Sequence, residues 1–425
     1  MLALCVGGVQ AAGWTITDLG PHTGYSEGLP MAINDNGWVV LGNKVMSPGA
    51  GGVYQTQTVA NILQFHGINN ANVAVGMDLS NNAGLVWSGG AAASALPMPA
   101  GSGGSQAFAI NDAGQIAGHI GGGPLWGGVR WDPNGAGGYD PSQLGFLMKG
   151  SATSYATGPG VGINNGGTAL INQIWPYYNA ARSGPTGTTV ISGTDSRDPL
   201  GAQPDLRPAN FCLDTQCVFI GKAINDAGTV VGGGNPSTGY AAEYKPFVWT
   251  MGGVGLLPVT TPGGGINGFA NGINDSGVVV GGVWYAAYDH RATMWTQSGG
   301  GWTQTYLNDL LPSGSSWSTL SEAYDVNEKG QIVGVGSYSG AAHVFLLTPA
   351  VPEPGTWAML LSGLGLLGLA ARRQLRERVA AVLAADRNAT AQVRLVFKAA
   401  SGDALANRNT PKPSTMASGA SMKVV

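Results

Sequence analysis

One pattern of apolar and polar positions recurs along the chain. A small residue and an aliphatic one precede Asn. A polar residue and usually Gly follow, and then comes a β-branched run. The seven copies read AINDNGWVVLG, GINNANVAVG, AINDAGQIAGH, GINNGGTALI, AINDAGTVVGG, GINDSGVVVGG and DVNEKGQIVGVG, centred on Asn34, Asn69, Asn111, Asn164, Asn225, Asn274 and Asn327. Asn and Asp bond nearby backbone and tolerate left-handed conformations, and Gly takes positive φ without a Cβ clash. Between Val- and Ile-rich flanks this predicts a strand, a tight turn and a second strand.

The copies are spaced 35, 42, 53, 61, 49 and 53 residues apart. A period of roughly 40–50 residues fits a four-stranded propeller blade better than a β-helix coil. Two further strands per copy can be read. Leu85-Val86-Trp87, Val129-Arg130-Trp131, Phe247-Val248-Trp249, Thr293-Met294-Trp295 and Val344-Phe345-Leu346 are short apolar runs after the hairpins. Runs such as Val254–Leu257 and Trp302–Leu307 supply a fourth strand. The seventh copy lacks one, and Trp14–Leu19 at the start of the chain is spare. The expected fold is therefore all-β: a propeller of seven four-stranded blades, closed when the N-terminal strand pairs into the last blade and so removes open edges, plus a C-terminal hydrophobic helix.

Composition and charge refine this picture. Gly (71 of 425) and Pro (24) are abundant and only 10% of residues are charged, yet 12 Trp, 13 Tyr and 9 Phe can bury surface. Such a turn-dense, weakly charged chain suits an exported β-protein. The formal net charge of −3 divides into −10 over residues 1–371 and +7 over 372–425. An acidic body argues against nucleic acid as a partner.

Residues 1–12 have the apolar and small-residue parts of a secretory signal without its basic start, so the true N-terminus is expected upstream. Removing them takes away Cys5 and leaves Cys212 and Cys217, which can close a small disulfide loop in an oxidising compartment. Free thiols are the alternative. The pair lies in the long stretch 165–223, read as an insertion between the fourth and fifth blades and a place for a binding site.

Motifs for catalysis are weak. Gly24-Tyr25-Ser26-Glu27-Gly28 has the spacing of a nucleophile elbow without the strand and helix it needs. Gly363-Leu364-Gly365-Leu366-Leu367-Gly368 is a dinucleotide fingerprint only in letters. His22, His66, His119, His290 and His343 lack metal-ligand spacing. Asp35, Asp112, Asp226 and Asp275 share one turn position. They either cap turns or, more sharply, hold calcium, although no EF-hand spacing is present. No other cofactor is expected. Trp87, Trp131, Trp249 and Trp295 read as core between blades. Trp126, Trp175, Trp284, Trp302 and Trp317, with Tyr177, Tyr178, Tyr285 and Tyr288, could instead form a carbohydrate-stacking face. The acidic residues to check for polysaccharide hydrolysis are Asp195, Asp198, Asp205 and Asp214, since that chemistry needs two converging carboxylates.

After residue 349 the pattern changes. Pro352-Glu353-Pro354 is extended, Trp357–Ala371 is 15 apolar residues, and Arg372-Arg373 follow. As a helix the apolar run is about 22 Å long, a marginal span for a ~30 Å core, with Trp357 at one interface and arginine on the cytoplasmic side. This segment, 350–373, resembles the PEP-CTERM sorting signal of Gram-negative bacteria. The resemblance implies export, an inner-membrane intermediate held through residues 357–371, processing by an exosortase, and release to the surface or the extracellular matrix, as in biofilms. The repeats at 13–349 resemble the extracellular repeats called the HAF family, which implies no activity; the His-Ala-Phe element is degenerate, His343-Val344-Phe345 being the best copy. Residues 374–425 depart from the sorting pattern. They read as a basic helix to about Ala400 and then a Pro/Ser/Ala-rich tail, either an artefactual extension or a segment that impairs sorting. The expected role is that of a non-enzymatic surface or matrix protein able to bind exopolysaccharide; the alternative is a secreted propeller enzyme acting on polysaccharide.

Overall fold

The computed structural model describes residues 13–22, 30–78, 82–121, 127–144, 160–173, 179–184, 187–190, 218–235, 244–251, 253–261, 267–284, 289–350 and 354–402. They divide into two compact units, Met1–Ala350 and Val351–Val425.

The first unit is an all-β propeller. Among the described residues its strands form seven four-stranded antiparallel sheets. Each of the seven Asn turns joins the first two strands of one sheet. The Asn225 sheet is representative. Val218–Ile224 pairs with Val230–Asn235, then Lys245–Thr250, then Gly253–Leu256. The sheet of the Asn327 turn is composite. Trp317–Val326, Ile332–Tyr338 and Ala341–Pro349 are joined by Trp14–Pro21, with Trp14 opposite Pro349 and Pro21 opposite His343. The spare N-terminal strand therefore completes the sheet that the end of the body leaves one strand short.

Much of the stretch 165–223 is blade rather than insertion, and residues 191–217 of it lie outside the described residues. It holds Ala169–Gln173, Asn179–Gly184 and Gly187–Val190, which complete the Asn164 sheet, and it runs into Val218–Ile224 of the next. Its third and fourth strands, NAARSG and GTTV, carry neither the apolar run nor the closing aromatic that marks them elsewhere. Cys212, Cys217, Asp195, Asp198, Asp205 and Asp214 lie outside the described residues.

Packing between sheets follows the aromatic repeat. Trp87, Trp131, Trp249, Trp295 and Phe345 are 0–3% exposed, each from the third strand of its sheet. Trp131 and Trp295 each donate an indole N–H to the carbonyl of a proline, Pro97 and Pro258, at 2.7 Å. These two buried indoles thus keep a polar partner. Burial of this size contributes several kcal/mol per aromatic.

The described residues of the second unit form one continuous helix, Pro354–Gly402, of 49 residues and about 74 Å. It merges the apolar run with the basic segment expected to follow it. The reading of 357–371 as a transmembrane helix is not upheld: no helix among the described residues is long and apolar enough to cross a membrane. The reason is local. Fifteen apolar residues give about 22 Å, and Arg372, Arg373, Arg376 and Arg378 then continue the same helix. Leu364, Leu366, Leu367 and Leu369 are 59–68% exposed on it.

Candidate functional site: the two ends of the propeller axis

The turns close two rings around one axis. In each copy the Asn side chain first ties its own turn. At Asn225, Oδ1 accepts from Thr229 N at 2.9 Å, while Gly228 N donates to Asn225 O at 2.9 Å. Gly228 has φ +75°, which explains the glycine. The amide Nδ2 then donates to the carbonyl of the next Asn. Asn34 reaches Asn69, then Asn111, Asn164, Asn225, Asn274 and Asn327, at 2.7–3.2 Å, and Asn327 returns to Asn34 at 2.9 Å. All seven asparagines are 3–7% exposed.

The following residue builds a second ring. Backbone N–H groups of Asp35, Asn70, Asp112, Asn165, Asp226, Asp275 and Glu328 each donate to the side-chain oxygen of the next member, and Glu328 N closes onto Asp35 at 2.8 Å. The acidic residues thus cap turns, but a neighbour's turn rather than their own. Burial pushes the Asp275 and Glu328 carboxyls up from their usual range. Among the described residues no group of three or more His, Cys, Asp or Glu is placed to hold a metal ion, so the geometry lends the calcium reading no support.

Immediately behind this ring stand Ile33, Ile68, Ile110, Ile163, Ile224, Ile273 and Val326, all 4–9% exposed. They separate a small acidic cavity of about 180 Å³ from a larger one of about 770 Å³ at the other end of the axis. One residue further back, six copies carry Ala or Gly (Ala32, Gly67, Ala109, Gly162, Ala223, Gly272). The seventh carries Asp325. Its carboxylate accepts from Ile33 N at 3.0 Å and Val326 N at 2.9 Å. Burial, helped by Asp35 and Glu328, outweighs those bonds and pushes its pKa up to about 7.

The larger cavity is shaped by bulges. In six sheets the first strand slips register by one residue at the same place, the third residue before Asn: His66, Phe108, Val161, Lys222, Asn271 and Tyr324. A bulge leaves an unpaired residue and re-aims its side chain. All six line the cavity. They are chemically unlike one another, whereas the turns are alike.

The wall near Glu322 holds most of the polar groups. Asn271 Nδ2 donates to Glu322 Oε1 at 2.6 Å, and His290 Nδ1 lies 3.9 Å from Oε2. Gly282 makes this possible, because a Cβ there would overlap the Glu322 carboxylate. Beside it runs an aromatic ladder. Tyr244 and Phe269 have centroids 5.0 Å apart, Phe269 and Trp284 5.9 Å, and Trp284 and His290 5.3 Å, with interplanar angles of 30°, 16° and 9°. Lys222 Nζ sits 5.4 Å from the Phe269 centroid. Its side chain is open to water within the cavity yet ringed by protein; desolvation lowers its pKa, and Glu322 partly opposes this. Across the cavity His66 stacks on Phe108 at 4.8 Å and its Nδ1 is 2.7 Å from Ala107 O. Desolvation lowers its pKa and favours the neutral ring. Aromatic faces beside a few converging polar groups in a concave mouth are the chemistry of a small-ligand site.

Of the sequence candidates, Trp284 is placed in this mouth. Trp302 packs half-buried on the core and Trp317 is 6% exposed within it. Trp126, Trp175, Tyr177, Tyr178, Tyr285, Tyr288 and the segment 24–28 lie outside the described residues. Gly363–Gly368 falls within the helix, without a preceding strand. His343 pairs with Asp18 at 2.8 Å across the closing strands. Pro352 and Glu353 lie outside the described residues, Pro354 opens the helix that contains Trp357, and Arg372 and Arg373 are exposed on it. Sequence reasoning missed Lys222, Asn271, Glu322, Tyr324 and Asp325. The signal available was divergence at fixed offsets before Asn.

Comparison with known proteins adds an address. Residues 350–374 match the PEP-CTERM protein-sorting motif. That signal implies export, cell-surface sorting and processing by exosortase. No curated protein matches the chain. Solved structures similar to it include a streptogramin B lyase (10% identity, TM-score 0.44, covering 79% of this chain and 97% of that one). A structure of YCF48 bound to D1 peptide has 13% identity and a TM-score of 0.39, covering 80% and 97%. A Mycobacterium tuberculosis puromycin-hydrolyzing peptidase has 11% identity and a TM-score of 0.45, covering 74% and 50%. Likeness at this level carries no argument about activity.

Proposed function

We propose that this protein is an exported, non-enzymatic surface or matrix propeller that binds extracellular polysaccharide at the wide mouth of its axis. Its passage to the surface runs through an inner-membrane intermediate and cleavage at the C-terminal signal. The observation that carries the binding reading is the ladder Phe269–Trp284–His290 beside Asn271 and Glu322. Flat aromatic faces suit the apolar faces of sugar rings, and the amide and carboxylate suit their hydroxyls. A glycan array probed with the folded body tests this. Retained glycans that are lost in Trp284→Ala support it, and an array with no retained glycan overturns it.

A second reading is a polysaccharide-acting enzyme, favoured by two carboxylates on one cavity, Glu322 and Asp325, the latter held near neutrality. Its test is hydrolysis of the producing bacterium's own exopolysaccharide. Activity abolished in both Glu322→Gln and Asp325→Asn would support it, and no product from the wild type would end it.

A further inference from the structure

The charges along the axis are strongly one-sided. Glu322 and Asp325 face the mouth, and beyond the aliphatic ring stand Asp35, Asp112, Asp226, Asp275 and Glu328. Against these seven acidic residues, Lys222 is the one Lys or Arg lining either cavity among the described residues. Clefts lined by one sign of charge focus the field and concentrate ligands of the other sign.

The aromatic wall points the same way. Ring faces carry negative quadrupole charge and attract ammonium groups within about 6 Å. One such face already holds a cation, since Lys222 Nζ lies 5.4 Å from the Phe269 centroid. Among the described residues Lys222 forms no ion pair or hydrogen bond; the aromatic face is where its ammonium rests. Glu322 stands next to this place with one oxygen held by Asn271 and the other toward His290.

We propose that the mouth selects amine-bearing saccharides: a protonated amino sugar seats its ammonium between Glu322 and the Phe269–Trp284 faces, in the place Lys222 Nζ fills in its absence. Lys222 is then a competitor for the site and not a ligand-binding cation. This rests on the reading of the mouth as a saccharide site and gives that site its substrate class. The two can fail separately.

The test uses the full chain and three probes of equal length: glucosamine oligomers, their N-acetylated counterparts and uronic acid oligomers, titrated calorimetrically. The wild type should bind the amine oligomer about tenfold more tightly than the N-acetylated one, in keeping with a desolvated charge pair and a cation–π contact. Glu322→Gln, which keeps an oxygen for Asn271, should lose about that factor for the amine oligomer alone. Lys222→Met should tighten it several-fold. The opposite sign, weaker binding in Lys222→Met together with a preference for the uronic acid oligomer, overturns the inference. Equal affinity for the N-acetylated and amine oligomers also overturns it but leaves the saccharide site standing. No binding by any of the three removes both. Melting curves of each variant confirm that the fold is retained.

Discussion

Replacing one asparagine of the inner ring tests how the propeller is held together. In Asn225→Ala two bonds go: Thr229 N loses its acceptor at 2.9 Å and Asn274 O loses the Nδ2 donor at 3.2 Å. The two losses are unequal. Asn274 O keeps Gly277 N at 3.1 Å, whereas Thr229 N, on a half-buried residue, is left without a partner. An orphaned buried group costs roughly 1–3 kcal/mol, and the half-satisfied carbonyl adds a few tenths, so the expected loss is about 2 kcal/mol. Asn225→Asp sharpens the test. It keeps the acceptor for Thr229 N but turns the donor facing Asn274 O into a second acceptor. At pH 7 this variant should be less stable than Asn225→Ala. The deficit should shrink as pH falls, because the new carboxyl has its folded pKa raised and regains a donor when protonated. Urea denaturation at pH 7 and pH 4.5 measures both, with exposed Ser276→Ala as a control that should move by under about 0.5 kcal/mol. A loss below about 0.5 kcal/mol in Asn225→Ala would refute the reasoning, as would Asn225→Asp being the more stable of the two at pH 7.

Three further outcomes follow from the same geometry. Asp325 has its folded pKa raised to about 7, so the folded state favours the proton; stability should fall as pH rises from about 4 toward 8, and Asp325→Asn should flatten that slope by about 3 kcal/mol between pH 5 and 8. Equal slopes in urea titrations would contradict this. Gly282→Ala should displace the Glu322 carboxylate, weakening saccharide binding about tenfold or more with a small change in melting temperature; unchanged affinity would show that the carboxylate position does not matter. EDTA should leave the melting temperature unchanged, because the acidic ring is occupied by backbone N–H donors; a drop restored by calcium would reinstate the metal reading.

The hairpins were legible because turn chemistry is local: Asn, Asp and Gly at fixed offsets say what the backbone does there. The closing role of Trp14–Leu19 was legible from a count of strands. The strands NAARSG and GTTV were not, because their sequences lack the apolar run by which the others are recognised. The transmembrane reading of 357–371 weighed a 15-residue run by itself, and the structure continues the same helix through Arg372, Arg373, Arg376 and Arg378. The mouth was hidden for a different reason. A bulge is one extra residue in the pairing of two strands, and no residue type announces it. Without the bulge, Lys222 and Tyr324 read as ordinary strand positions. The acidic turn residues recur, and recurrence suggested a site; their partners are backbone N–H groups of the next turn. The chemically varied side chains that line the larger cavity lie at the offsets where the copies differ, His66, Phe108, Val161, Lys222, Asn271 and Tyr324.

Binding of the producing bacterium's exopolysaccharide, compared between the wild type, Trp284→Ala at the mouth and Asp226→Asn in the turn ring, tests that claim most directly. Calorimetric titration should show an affinity lost in Trp284→Ala and kept within about twofold in Asp226→Asn, which retains the Oδ1 acceptor for Asn165 N. Loss confined to Asp226→Asn, with Trp284→Ala unaffected, would place the site among the turns and contradict the account.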